Sequence, residues 1–347
     1  MSKAKAPLKI PKPKLSPKAL EQTIYGYKLS QVLLTSIELD LFTHLDEPKT
    51  SVELAEKLKV RIDFLEKILE VLVSLGFLKR GKEGKYANKP IAREFLSRSS
   101  PFYQGDLLRL QATYYDVWSN LSKAIRGEWK PKPRRREKAF NRMFTYAMAE
   151  AALRGPLHRI VKAIAKNVPA LSKAERMLDL GGGHGLYAVA FTQMFPNLKV
   201  DVYDLPPVIE VAREFISKYG GEGRVSLVVG DFTRQELGES LYDAVFVSHV
   251  LYRKEYNREL LKKIYAALKP NGLLISSHWM KSKVGNLTST LWDLNMLLLG
   301  YAKDTALYSE EEFRSLLEET GFTILRVFPV MLIYDPVTVV VARKIAG

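Results

Sequence analysis

The sequence predicts an α/β protein. A mostly parallel sheet is flanked by helices and preceded by a smaller helical unit that carries a two-stranded hairpin. Three observations carry this. From Arg176 onward, short β-rich runs alternate with amphipathic helical stretches. The first run ends in the turn Asp179-Leu-Gly181-Gly-Gly183-His-Gly185. Later runs end in acidic residues, Asp204 and Asp231-Phe232, where an open parallel sheet binds ligands.

Residues 1–20 form a Lys/Pro tail with six Lys, four Pro and no acid, and are expected to be flexible because Pro excludes regular helix. Residues 21–100 are helical. Thr50-Ser51 supplies a side-chain cap, and Arg61 to Leu75 is an amphipathic helix stopped by Gly76. Phe77 to Ala87 is then a hairpin with Gly turns. Helix, helix and wing resemble a winged helix. The second helix carries Leu65, Ile68, Leu69, Val71, Leu72 and Leu75, too apolar for a nucleic-acid groove, so dimerisation is the expected role. Residues 101–170 read as a connector of two helices, Gln104 to Ile125 and Glu137 to Val168, the latter broken near Gly155-Pro156. A basic loop, 123–138, lies between them. Phe144 and Met148 sit where a connector would roof an active site. Residues 171–347 form the ligand-binding domain. Its strands are Arg176 to Asp179, Val200 to Asp204, Val225 to Asp231, Tyr242 to Ser248, and Gly272 to Ser277 behind the turn Lys269-Pro-Asn-Gly. Thr323 to Ile333 and Val337 to Arg343 close it as a hairpin.

The glycine turn reads D-x-G-x-G-x-G. Gly tolerates positive φ and lets a backbone approach a ligand closely. A dinucleotide fingerprint would need a further glycine at Leu186, so a nicotinamide cofactor is not indicated. The turn instead resembles motif I of class I S-adenosylmethionine (SAM) methyltransferases, which implies a Rossmann-like methyltransferase sheet. Asp204 suits the ribose hydroxyls of an adenosine group, Asp231 the adenine amine, and Phe232 the adenine face. Asp179, Gly181, Gly183, Gly185, Leu205 and Ser248 complete the expected cofactor set.

The whole stretch 25–347 resembles the plant-type O-methyltransferase family, the caffeate and acetylserotonin methyltransferases. The resemblance rests on Leu34 to Phe42, motif I, Asp204-Leu-Pro, Gly230-Asp231-Phe232 and Glu310-Glu-Glu-Phe…Gly321-Phe322. It implies homodimers through the N-terminal domain and SAM bound by Gly181, Gly183, Asp204, Asp231 and Phe232. The family's catalytic His/Glu/Glu set is changed. Tyr252 falls at the His position, His249 lies three residues earlier, and His278 and Leu307 fall at the two Glu positions. Tyr252, His249 and His278 are the catalytic candidates. A phenol, with pKa about 10, gains greatly from a positioned base, whereas a neutral amine does not. Asp293 and Asn295 on a helix, Leu291 to Leu299, are further substrate candidates.

The net charge is +15, and the 1–20 tail and the 123–138 loop each hold +6 of it. Clustered cationic loops suit a polyanion. They direct the expectation to an RNA substrate, with an exocyclic amine such as that of cytosine in ribosomal or transfer RNA methylated. Lys130, Lys132, Arg134, Arg135 and Arg136 would contact its phosphates. The alternatives are O- or N-methylation of an aromatic or amine metabolite, and a non-catalytic SAM-binding winged-helix regulator. No metal is implied. There is no cysteine and no run of 18 apolar residues, so a cytoplasmic enzyme without a membrane span is expected. Few Asn and Gln beside abundant Lys and Glu fit a thermophile.

Overall fold

The structure, a computed structural model, describes residues 10–130, 140–252, 254–281 and 286–345. The chain divides into two compact units between Tyr103 and Gln104.

The first unit begins with the helix Lys18–Glu38, so the last residues of the predicted basic tail are helical. Short helices Leu41–His44 and Ser51–Leu58 follow. Thr50 and Glu53 form a reciprocal capping box at the start of Ser51–Leu58. Helix Ile62–Ser74 buries Leu65, Leu69 and Leu72 at helical spacing, and Gly76 ends it at φ +81°. The hairpin is β1 (Leu78–Arg80) with β2 (Tyr86–Asn88), and helix Pro90–Phe95 closes the unit. The two main helices also expose apolar residues: Leu20, Ile24, Tyr25 and Tyr27 on one, Ile62 and Phe64 on the other.

The connector opens the second unit. The expected single helix Gln104 to Ile125 is instead three pieces, Gly105–Ala112, Tyr115–Trp118 and Leu121–Ile125. At the breaks, Thr113, Ser119 and Asn120 turn their side chains onto the nearby carbonyls of Leu110 and Asp116. Such local bonds compete with the helical ladder. Helices Arg142–Leu153 and Pro156–Asn167 meet at Gly155, φ +139°, with Pro156 starting the second.

The sheet has seven strands: β3 (Arg176–Leu180), β4 (Lys199–Asp204), β5 (Val225–Val229), β6 (Tyr242–Ser248), β7 (Leu268–His278), β8 (Phe322–Met331) and β9 (Pro336–Lys344). Their order is β5-β4-β3-β6-β7-β9-β8. β3 to β7 are parallel, and β9 runs antiparallel to both its neighbours. Alternate residues serve two cores. Met177, Val200, Phe246, Ile275 and Val339 face one, and Leu178, Val245, Leu274 and Val340 face the other. Burial on both faces explains why the strands read as continuous apolar runs. The strand order reverses between β3 and β6, which opens the crevice where such sheets bind ligands. The predicted turn Lys269 to Gly272 is a kink inside β7. Tyr242 pairs with Leu268 but Ala244 with Leu273, and Asn271 takes φ +63°. Among the described residues, no helix is long and apolar enough to cross a membrane.

Candidate functional site

Beyond β3 the chain passes Gly181, Gly183 and Gly185, all at positive φ, into the helix Leu186–Met194. A Cβ on Gly181 would lie 2.7 Å from Val250 Cγ2 and 3.6 Å from the Phe232 ring. The loops after β3, β5 and β6 therefore converge on one cradle. One on Gly182 would lie 2.8 Å from the Asp179 carboxyl group. Asp204 at the end of β4 accepts the Gly183 N–H at 2.9 Å and the Leu205 N–H at 2.7 Å. Asp231 accepts the N–H and hydroxyl of Thr233, and donates its own N–H to Gln235, which also receives the Tyr203 hydroxyl. Phe232 is buried with its ring 6.5 Å from Tyr203. Ser248, at the end of β6, shares a hydrogen bond with the Tyr187 hydroxyl.

Two buried groups sit beneath the cradle. Asp179 is 2% exposed, and its Oδ2 has no hydrogen-bond partner. Burial, and then the nearby Asp204 charge, push its carboxyl up to about 7. The His184 ring turns inward against Tyr187 and Phe215, its Nδ1 accepting the Leu186 N–H at 3.1 Å. Burial lowers it to about 4, so it stays neutral. An orphaned carboxylate oxygen, glycines without room for a Cβ, and acids at three strand ends fit a cationic cofactor bearing adenosine.

Beside the cradle lies an aromatic box. His249 follows β6 in the left-handed region, φ +53°, held by its N–H donating to the Ser277 carbonyl at 3.0 Å. Its ring lies 4.7 Å from Trp279 and 6.5 Å from Trp292. The two indoles are 5.4 Å apart, and Tyr252 stands edge-on to Trp292 at 6.1 Å. Trp279 Nε1 is buried without a partner. Burial lowers His249 to about 4.

His278 lies elsewhere than expected. It is the last paired residue of β7, opposite Thr338, rather than the first residue beyond a strand that stops at Ser277. The ring is 6% exposed, edge-on to Phe313 at 4.7 Å, with neither nitrogen bonded. Burial, and then His249, lower it to about 3. The strand simply continues one residue past Ser277, where the predicted run ends.

The helix expected at Leu291 to Leu299 is Leu287–Leu298. Its Asp293 accepts the Thr305 hydroxyl and the Ala306 N–H, both at 2.7 Å, and so holds a loop. Asn295 accepts the Trp118 Nε1–H at 3.0 Å, tying the connector to this helix. Phe144 and Met148 are half-buried against Leu107, Leu110 and Ala147. Trp292 and Glu150 were not anticipated. Trp292 precedes Asp293 and faces three residues back from Asn295, a spacing that could have marked it. Glu150, buried, accepts the Leu107 N–H at 2.8 Å, and burial pushes it up to about 7. Lys130 is exposed, while Lys132, Arg134, Arg135 and Arg136 lie outside the described residues.

Known proteins match this architecture. Residues 129–323 match the O-methyltransferase domain and residues 21–98 the O-methyltransferase dimerisation domain. The N,N-dimethyltransferase OxyT of Streptomyces rimosus is 30% identical, over 88% of this chain and 91% of its own. Acetylserotonin O-methyltransferase of Bos taurus is 30% identical, over 94% and 97%. The crystal structure of human N-acetylserotonin methyltransferase with SAM superposes with a TM-score of 0.81 at 26% identity, over 95% and 97%. These relatives are small-molecule O- and N-methyltransferases, which overturns the expectation of an RNA substrate. Clustered cations alone misled that expectation, since a basic surface is set independently of the pocket. A thermophilic origin gains no support from them either.

Proposed function

The chain belongs to the O-methyltransferase family and is a SAM-dependent methyltransferase, and on that premise we propose that it methylates a small aromatic molecule. The accepting atom is an amine nitrogen, or a hydroxyl acidic enough to ionise unaided. The observation that carries this reading is the box of His249, Trp279, Trp292 and Tyr252 beside the glycine cradle. The four rings pack on one another, centroids 4.7 to 6.5 Å apart, and each is half-buried, so an aromatic guest would stack on the faces and edges they leave open.

SAM supplies an electrophilic methyl group. In this reading Gly181, Gly183, Gly185, Asp204, Leu205, Asp231, Phe232 and Ser248 hold it, above Asp179. Val250, pressed against Gly181, forms the wall between cradle and box. The box rings orient the acceptor, and Trp279 Nε1–H donates to an oxygen or ring nitrogen on it. Positioning then carries the catalysis. His249, lowered to about 4, is a weak base at neutral pH, and a phenol of pKa about 10 would find little help from it. An amine needs none, because its lone pair attacks directly and the proton leaves to water afterwards. The dimerisation domain supports a homodimer.

The test is transfer of labelled methyl from SAM to a panel of aromatic amines and phenols, with total RNA in parallel. Label is expected in the small molecules, fastest for amines and acidic hydroxyls. Trp292→Ala is expected to raise the acceptor KM about tenfold, the worth of one aromatic contact, and to leave SAM binding intact. Label confined to RNA would overturn the proposal.

A further inference from the structure

Asp179 is the one carboxylate in the cradle with an oxygen left over. Its Oδ2 is buried with no hydrogen-bond partner, and the side chain is 2% exposed. The groups that face it are few. The Ala188 backbone N–H, at the start of the helix after the turn, favours its charged form. Asp204, on β4, opposes it. Tyr187 meets it with a phenol that burial, and only then Asp179, keeps protonated, itself bonded to Ser248 of β6. His184, in the turn, is neutral. Directly above runs the Gly182 backbone, where a Cβ would lie 2.8 Å from Oδ2. An unpaired buried charge is costly, so such a carboxyl stays neutral until a cation arrives. Burial and Asp204 push it up to about 7, which puts the change within reach of ordinary pH.

We propose that Asp179 makes the cradle prefer SAM over its product S-adenosyl-L-homocysteine: in mildly acidic solution the carboxyl is neutral when the cradle is empty or holds product, and ionised when the sulfonium is present. SAM and the product share the same ammonium and carboxylate and differ in the sulfonium charge. Ionising Asp179 stabilises SAM more than the product, because only SAM adds the sulfonium charge and Coulomb attraction is strong where water is excluded. Loss of the methyl group removes the cation, Asp179 takes back a proton from solvent, and the product is held less tightly. The proposal rests on the cofactor alone and stands whichever acceptor is used.

The test is calorimetric binding of SAM and of S-adenosyl-L-homocysteine to the full chain between pH 5.5 and 8, in buffers of different ionisation enthalpy. Below pH 7, SAM binding is expected to release up to one proton more than product binding. The SAM-to-product affinity ratio should rise by up to tenfold per pH unit and level off above pH 7, as one linked ionisation requires. D179N is expected to flatten that ratio. Equal proton release and parallel pH curves for the two ligands would overturn the proposal, and need no variant. So would a pH-dependent ratio that survives in D179N.

Discussion

A methyl group on Gly181 would sit 2.7 Å from Val250, in a residue held at φ +68°. Both effects act at the cradle, where Val250 and Phe232 form the edge of the second core. Gly181→Ala is therefore expected to keep its circular dichroism spectrum and lose at least about tenfold in SAM affinity, since the left-handed conformation alone costs roughly 1–2 kcal/mol. Val250→Ala in the same chain should restore part of the loss by removing the clashing methyl, and titration of SAM against both variants checks it. At this scale the sequence was informative where backbone geometry forces residue type. Glycines and strand-end acids are required by the turn itself. His278 was misplaced and Trp292 missed because aromatic and histidine side chains serve cores and pockets equally well, and only packing decides between them.

Among the elements, strands β3 to β9 were legible because each is a bounded apolar run. The kink in β7 was not, because Lys269-Pro-Asn-Gly carries the residues of a true turn. The connector read poorly for a related reason. Its helical pattern is continuous, and the breaks come from Thr113, Ser119 and Asn120 bonding locally. That breakage gives the short helix Tyr115–Trp118, whose Trp118 donates to Asn295. Trp118→Phe removes one hydrogen bond and keeps the ring, a loss of about 1 kcal/mol. If this bond positions the connector beside the box, the acceptor KM should rise about fivefold while SAM affinity holds. An equal loss for both ligands would mean a general loosening instead.

For the whole molecule, surface charge and pocket chemistry were separate signals. The +15 balance is concentrated in the tail and the 123–138 loop, whereas the box carries aromatic rings and one neutral histidine, His249. The dimerisation domain gives meaning to the apolar residues left exposed on the helices Lys18–Glu38 and Ile62–Ser74. Leu20, Ile24 and Phe64 are 61%, 49% and 61% exposed, more than isolated surface residues require. For the intact enzyme, the proposal to test is that positioning, with no general base, activates the acceptor. The most direct measurement is the pH profile of kcat/KM for two aromatic amines of different basicity, with the native chain and with His249→Gln. The expected result is one ionisation that moves with the amine's own pKa, and a loss of less than about tenfold in His249→Gln, well below the factor a general base supplies. An ionisation fixed near pH 7 for both amines, with a loss of about a thousandfold in His249→Gln, would contradict catalysis by positioning.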